Sequence, residues 1–433
     1  MSISVPWGSE ELQFDLPAGW RLSGVVEPAT PVSLDDVDKE LIRVLRQPTG
    51  SKPLADICRG SKSVAVVVDD LSRPTPAHLF MDSLLDEITG AGVSEEDITL
   101  VTGLGTHRAM PVEEMEQKVG GAALERVKWV NHDCRDDSQL VRIGRTKRGT
   151  AIEVNRVVAT SDVAVLVGTI EPHAHASFGG GYKNILPGVA GIRTIGHNHM
   201  LVATPRTFSM VGWQPEDNPM RLDIEEAGQM LEGTCFAVNT ILSSEKKVAK
   251  IVAGDPVRAH REGVEFSRKL YGIPVESMVD VVITGSHPMD HDLRQGVKSV
   301  ANTFMAAKKG GLVIAAMRCQ GGAGDMSVPR LKVPSSQAVI RMMARSLIPV
   351  VKYLPFGIPL EERFYMYTAL RTALRNRINI YAPEIPLEAR RRLGRFFALG
   401  TFQEALEEAA AEYPDAEVLV FPKGGVTYPI VEK

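Results

Sequence analysis

With 433 residues and 47.2 kDa, the chain exceeds the roughly 250 to 300 residues at which one hydrophobic core stops growing, so two domains are expected. A composition of 44% hydrophobic and 24% charged residues excludes a disordered or fibrous chain. Basic residues number 49 against 53 acidic ones, a net charge of -4, which offers no broad cationic field for a nucleic-acid backbone.

Cys58, Cys134, Cys235 and Cys319 lie far apart with no C-x-x-C pair, and they read as reduced thiols rather than a disulfide framework. The opening MSISVPWGSEELQFDLPAGW lacks a basic start followed by an apolar stretch, and no apolar run approaches the ~20 residues that span a bilayer. A cytoplasmic protein without a membrane segment is expected.

In chain order, ISV and LQFDL around the turn-like PWGSEE predict a small hairpin. The pattern then becomes strand, loop, helix, which is the signature of an α/β fold. Val- and Ile-rich runs at SVAVVVDD, ITLVTG, VAVLVGTI, KIVAGD, VDVVITG, GLVIAAM, INIYAP and EVLVFP fit strands covered on both faces. Between them, apolar spacings of three and four predict helices over 256–270, 294–309, 359–375 and 401–412. Pro256 and Pro359 suit first-turn positions. A boundary falls near Gly272 to Met278, where a helix ends at Gly and Pro and a new strand series begins.

Polar groups recur just after these strands. Asp69, Asp70 and Arg73 follow SVAVVVDD, where they fit either a ligand contact or aspartates capping a helix entry. His107 follows ITLVTG in GTHR. After VAVLVGTI comes EPHAHASFGGGYKNILPGVAGIRTIGHNH, which holds His173, His175, His197 and His199. Gly179, Gly180 and Gly181 there fit a backbone that approaches a phosphate-bearing cofactor, with Lys183 beside it; a flexible turn beside surface histidines fits as well. It is not a P-loop, because Asn184 stands where Ser or Thr would hold magnesium. In GSHPMDHDLRQGVKS, Gln295 and Lys298 share one face of a helix headed by Arg294, while His287 and His291 read as part of a solvated helix face.

Together, DDLSRP, GTHR, EPH with Lys183 ten residues later, ILPG, His199 and Q-x-x-K at Gln295 and Lys298 resemble the lactate racemase family, the nickel-pincer-nucleotide-dependent racemases and epimerases of α-hydroxy acids. The resemblance implies covalent attachment of the nickel-pincer nucleotide at Lys183, nickel ligation by His199, and acid/base roles for His107 and His173. Asp70 and Arg73 would lie at the cofactor, Arg73 also at the substrate, with Gln295 and Lys298 reaching the substrate from a second domain. It further implies two α/β domains with a catalytic cleft between them. Residues 1–275 form the cofactor-binding and catalytic domain, 276–404 a domain that closes on substrate, and 405–433, including EVLVFP, a return to the first. Cofactor-biosynthesis proteins are the implied partners, besides the small-molecule substrate.

Arg294 stands where the family carries an aromatic residue, and Tyr182 where it carries a basic one. Arg294 adds a substrate-binding cation and extends the expected substrates from lactate to malate or another polar hydroxy acid. Chemically, a Cα–H beside a carboxylate is a poor acid, so hydride removal coupled to proton transfer by histidine is the accessible route. Imidazole, with an ordinary pKa of about 6.5, serves both proton states near neutral pH. Two rivals differ in kind. A zinc amidohydrolase-like hydrolase would use His173, His175, Lys183, His199 and a late Asp; a non-catalytic nucleotide-binding protein would bind without turnover.

Overall fold

The computed structural model describes residues 2–207, 210–324, 332–334, 336–354 and 357–431. Its two main sheets are built from strands β1 (Arg21–Val25), β2 (Val64–Asp69), β3 (Ile98–Gly103), β4 (Lys128–Asn131), β5 (Val163–Thr169), β6 (Thr234–Leu242), β7 (Val248–Gly254), β8 (Val279–Gly285), β9 (Ala307–Ala316), β10 (Arg377–Tyr381) and β11 (Glu417–Phe421).

The first sheet runs β7-β6-β5-β2-β3-β4, parallel throughout except for β7 against β6. Its apolar strands feed two cores at once. Val64, Val66 and Val68 of β2 enter one cluster, while Ala65 and Val67 enter the other with Ala164 and Leu166 of β5. That two-sided burial is why these strands read as unbroken apolar runs rather than alternating ones. The chain steps outward from β2 to β3 and β4, then returns to the other side of β2 as β5. The order therefore reverses between β2 and β5, the position where open α/β sheets form a ligand crevice beyond the carboxyl ends of their strands.

The second sheet, β10-β9-β8-β11-β1, is parallel throughout. The α/β class and the opening hairpin, Ser2–Trp7 paired with Glu10–Asp15, agree with the sequence pattern. EVLVFP does not return to the first sheet: β11 hydrogen-bonds between β8 and β1 inside the second. Only the terminal strand Tyr428–Val431 reaches back, pairing with Gly272–Val275. The helix expected over 294–309 ends earlier, because Ala307 begins β9. β6 went unread in the sequence because Asn239 and Thr240 interrupt its apolar run; in the sheet both are buried and hydrogen-bonded.

Four helices matter for the site: α1 (Ile192–Met200), α2 (Leu293–Thr303), α3 (Gln337–Tyr353) and α4 (Leu360–Arg375). α3 and α4 form a hairpin inserted between β9 and β10 of the second sheet, yet it docks on α1 beside the first. Val351, Phe364 and Tyr367 are buried in the same cluster as Ile195 and Val202. Gly196 permits this close approach, since a Cβ there would lie 2.7 Å from Leu360 Cβ. The expected 276–404 unit therefore contributes core to the first sheet as well as forming its own. Among the described residues, no helix is long and apolar enough to cross a membrane.

Candidate active site

Three consecutive turns at the carboxyl ends of β2, β3 and β5 supply the site. Immediately after β2, Asp70 is buried and its Oδ2 meets Nδ1 of His107, which follows β3. The Ser72 amide donates to Asp70 Oδ1 at 2.9 Å. Burial pushes Asp70 upward, but the His107 ring, Ser72 and Arg73 outweigh it and hold the carboxyl well below the usual carboxylate range. Facing a carboxylate, His107 Nδ1 is a donor, and Nε2 keeps its lone pair. Asp69 plays a different part. It pairs with buried Lys118 at 2.6 Å, and Lys118 also donates to the carbonyls of Asp70 and Arg73, bracing the turn.

After β5, buried Glu171 accepts from Arg73 Nη1 at 3.0 Å and from Lys298 Nζ at 3.4 Å, while its Oε2 has no partner among the described residues. Glu171 was not singled out from the sequence, although the EPH motif contains it. Two residues on, His173 is oriented by main chain: its Nδ1 accepts from the amides of His175 and Ala176 at 3.2 and 3.1 Å. Its neutral form therefore carries the proton on Nε2, the opposite tautomer to His107. Burial, reinforced by the charges of Lys183 and Arg73, pulls His173 well below the ordinary imidazole range.

Lys183 sits in the short turn Gly181–Asn184, and its ammonium makes no hydrogen bond or ion pair among the described residues. Burial first, then Arg73 and Arg221, pull it well below the ordinary lysine range, with Glu171 opposing. The glycines before it serve a different purpose from the expected cofactor approach. A Cβ on Gly179 would meet Thr169 O at 2.7 Å, on Gly180 Ile170 Cγ1 at 2.6 Å, and on Gly181 Pro256 O at 2.9 Å. They let the loop pack on its own protein and so aim Lys183.

On α1, His199 Nδ1 donates to Ile195 O at 2.8 Å, leaving Nε2 open, as metal-ligating histidines are commonly anchored. Burial, with Lys183 and Arg294, pushes His199 down to about 4. His175 is pushed down to about 3, chiefly by burial, and its Nδ1 has no partner among the described residues. His197 instead meets the Thr150 hydroxyl at 2.8 Å, a structural bond. No three His, Cys, Asp or Glu side chains among the described residues are placed to hold a metal together, so the ligand set of the zinc hydrolase does not assemble.

From the second sheet, α2 is capped by Asp292, which accepts from the Gln295 amide at 2.8 Å. Gln295 Oε1 is buried without a partner among the described residues, and burial pushes Lys298 down to about 8. Arg294 hydrogen-bonds Tyr365 on α4, and its charge acts on His199 and Glu361. Glu361 in turn bonds Thr106, next to His107. Phe364 stacks against both His175 and His199, with centroids at 4.8 and 5.2 Å. These α4 residues were invisible in the sequence, which gave no sign that a helix from the second sheet would cover the first. His287 and Asp290 pair with each other at 3.0 Å, apart from this network.

Fold and site together define an α/β enzyme whose crevice at a strand-order reversal holds two histidines arranged for proton transfer. The family description of the lactate racemase N-terminal domain matches residues 7–209. The chain is 32% identical over 327 residues to lactate racemase of Thermoanaerobacterium thermosaccharolyticum, covering 75% of this chain and 76% of that one. It is 28% identical over 329 residues to lactate racemase of Lactiplantibacillus plantarum, covering 70% and 76%. The lactate racemase apoprotein structure from Thermoanaerobacterium thermosaccharolyticum matches over 100% of both chains with a TM-score of 0.83 at 26% identity. A Thermotoga maritima crystal structure shares the fold, with a TM-score of 0.68 at 18% identity over 93% of this chain and 100% of that one. The chain belongs to the lactate racemase family, and it is an isomerase of the racemase type.

Proposed function

We propose that the chain interconverts the stereoisomers of a 2-hydroxy carboxylic acid, using a nickel-pincer nucleotide attached at Lys183 and ligated by His199. The observation that carries this reading is the set of unsatisfied groups around one crevice: the unpaired Lys183 ammonium, the open Nε2 of His199, and the orphaned oxygens of Glu171 and Gln295. Buried polar atoms are rarely left without partners, so such a cluster marks the seat of a ligand. Lys183, held toward its neutral form, is suited to a covalent acyl or thioacyl link, and an imidazole nitrogen suits nickel. When bound, the group supplies a site that takes the Cα hydride and returns it.

The chain's own residues do the rest. His107 Nε2 takes the hydroxyl proton, and Asp70 steadies the imidazolium that results. Lys298 and Gln295 hold the substrate carboxylate, with Arg73 released from Glu171 as substrate and cofactor enter. Loss of the Cα hydride leaves a planar 2-keto acid, which either face can reclaim. His173 begins as an Nε2–H donor, so it returns a proton to substrate oxygen directly. To accept one there, it must give up the contacts of Nδ1 with the amides of His175 and Ala176. Phe364 and Tyr365 exclude water. Lactate is the substrate named for the relatives. Arg294, turned toward His199 and Tyr365, favours extension to malate or another polar hydroxy acid. The reading places the chain in the cytoplasm with cofactor-synthesis proteins as partners, and its substrate-closing unit at 276–404.

The test is intact mass and metal analysis of protein produced with and without the cofactor-synthesis enzymes. Nickel and a nucleotide-sized adduct mapping to Lys183 are expected. Active enzyme carrying zinc alone and unmodified Lys183 would overturn the reading.

A further inference from the structure

Away from the catalytic crevice, a cavity of about 490 Å³ opens where the α3–α4 hairpin meets residues 205–206 of the first unit and the start of β9. Five of its lining residues are basic: Arg206, Lys309, Arg345, Arg371 and Arg375; none is acidic. Elsewhere the chain matches its arginines with carboxylates. Arg126 pairs with Asp82, Asp86 and Glu95, Arg193 with Asp137 and Glu153, and Arg261 with Glu216 and Glu225. In the cavity, by contrast, Lys309, Arg345, Arg371 and Arg375 have no carboxylate partner among the described residues. Gathering like charges opposes folding, and acidic residues are plentiful in a chain with 53 of them against 49 basic.

Arg375 is also held in place. Its Nη1 donates to Phe304 O at 3.3 Å and Asn376 Oδ1 at 2.6 Å, its Nη2 to Ala307 O at 3.3 Å, and the guanidinium stacks 4.9 Å over the Phe304 ring. Burial pulls it below the ordinary arginine range, with no neighbouring anion to raise it. Arg371 reaches across to Pro205 O at 3.5 Å. Met305 and Leu374 supply an apolar wall.

We propose that this cavity binds a small organic phosphate bearing two or more negative charges, with its carbon body against Met305 and Leu374. Planar guanidinium forks match phosphate oxygens in pairs, and the volume lies within the ~300 to 1,000 Å³ usual for small-molecule sites. The concave shape and overall negative charge favour a compact anion over a nucleic-acid backbone. Because α4 carries Arg371 and Arg375 here and Tyr365 at the catalytic crevice, the two sites share one helix, separated by roughly 9 to 15 Å along its axis.

The experiment is calorimetric titration of the full chain with pyrophosphate, ATP and citrate at matched ionic strength. Saturable binding of pyrophosphate or ATP is expected, weakened about 10-fold or more by Arg345→Glu with Arg371→Glu, and retained within about 3-fold by the two Lys replacements. Arg345 is exposed, so Arg345→Ala alone provides a variant that keeps the fold if the double reversal does not. Lys183→Ala must bind as tightly as the parent, which separates this site from the cofactor reading. Equal binding in the charge-reversed protein, binding of citrate alone, dependence on Lys183, or no saturation up to about 10 mM would each overturn the proposal.

Discussion

Both parallel sheets end their strands in histidines and aspartates, yet the two ends are chemically unlike. After β8, His287 bonds Asp290 at 3.0 Å, Ser286 donates to the same carboxylate at 2.6 Å, and Asp292 caps α2; each polar group is spent locally. After β2, β3 and β5, the bonds run between loops, and Lys183, Glu171 Oε2 and His175 Nδ1 are left over. A histidine at a strand end is thus not itself a sign of catalysis. The sign is polar capacity that the fold orients and then fails to satisfy.

The sharpest way to break this contrast is to exchange histidines on both sides. His107→Gln or His173→Gln is expected to lower racemisation by roughly 100-fold or more with cofactor loading intact, whereas His287→Gln should change it by less than about 2-fold. Comparable losses at all three would dissolve the distinction. The next effect is set by pH. Lys298 sits at about 8 against an ordinary 10.5, so the folded chain gives up this proton before the unfolded chain does. Between those values stability from this group rises with pH, while the grip on the substrate carboxylate is lost. KM should therefore climb about 10-fold per unit above pH 8 with kcat little changed, and Lys298→Arg should flatten the rise. A KM independent of pH up to 10 would remove Lys298 from substrate binding. The smallest effect concerns how the hairpin joins the two regions. Gly196→Ala places a Cβ 2.7 Å from Leu360 Cβ and 3.1 Å from the Glu361 amide nitrogen, and should cost about 1 to 3 kcal/mol in urea unfolding. Unchanged stability would mean that the hairpin is held elsewhere.

Much of the scaffold was legible because strands buried on both faces leave unbroken Val and Ile runs. The residues ending them, Asp70, His107 and His173, are adjacent in the fold for the same reason: parallel strands deliver their carboxyl ends to one edge. What stayed hidden was long-range. α4 has an ordinary helical pattern, and nothing in it says that Phe364 will pack on His175 and His199 rather than on its own sheet. Asn239 and Thr240 looked like a loop because their partners, Gly181 and Thr169, lie some 60 to 70 residues away. The run Gly179 to Gly181 misled in the opposite sense, since a tight fit against protein and a tight fit against ligand call for the same amino acid.

The crossed connectivity also governs when the molecule can take shape during synthesis. β1, among the first 25 residues made, finds its sheet neighbour only in β11, near the very end, and the core around Ile195 lacks Phe364 and Tyr367 until α4 has emerged from the ribosome. At ~5 to 20 residues per second, the apolar face of α1 then waits for roughly 10 to 30 seconds in the open. A nascent chain of this design is a natural client for chaperones, and one whose N-terminal half cannot be harvested as a folded fragment.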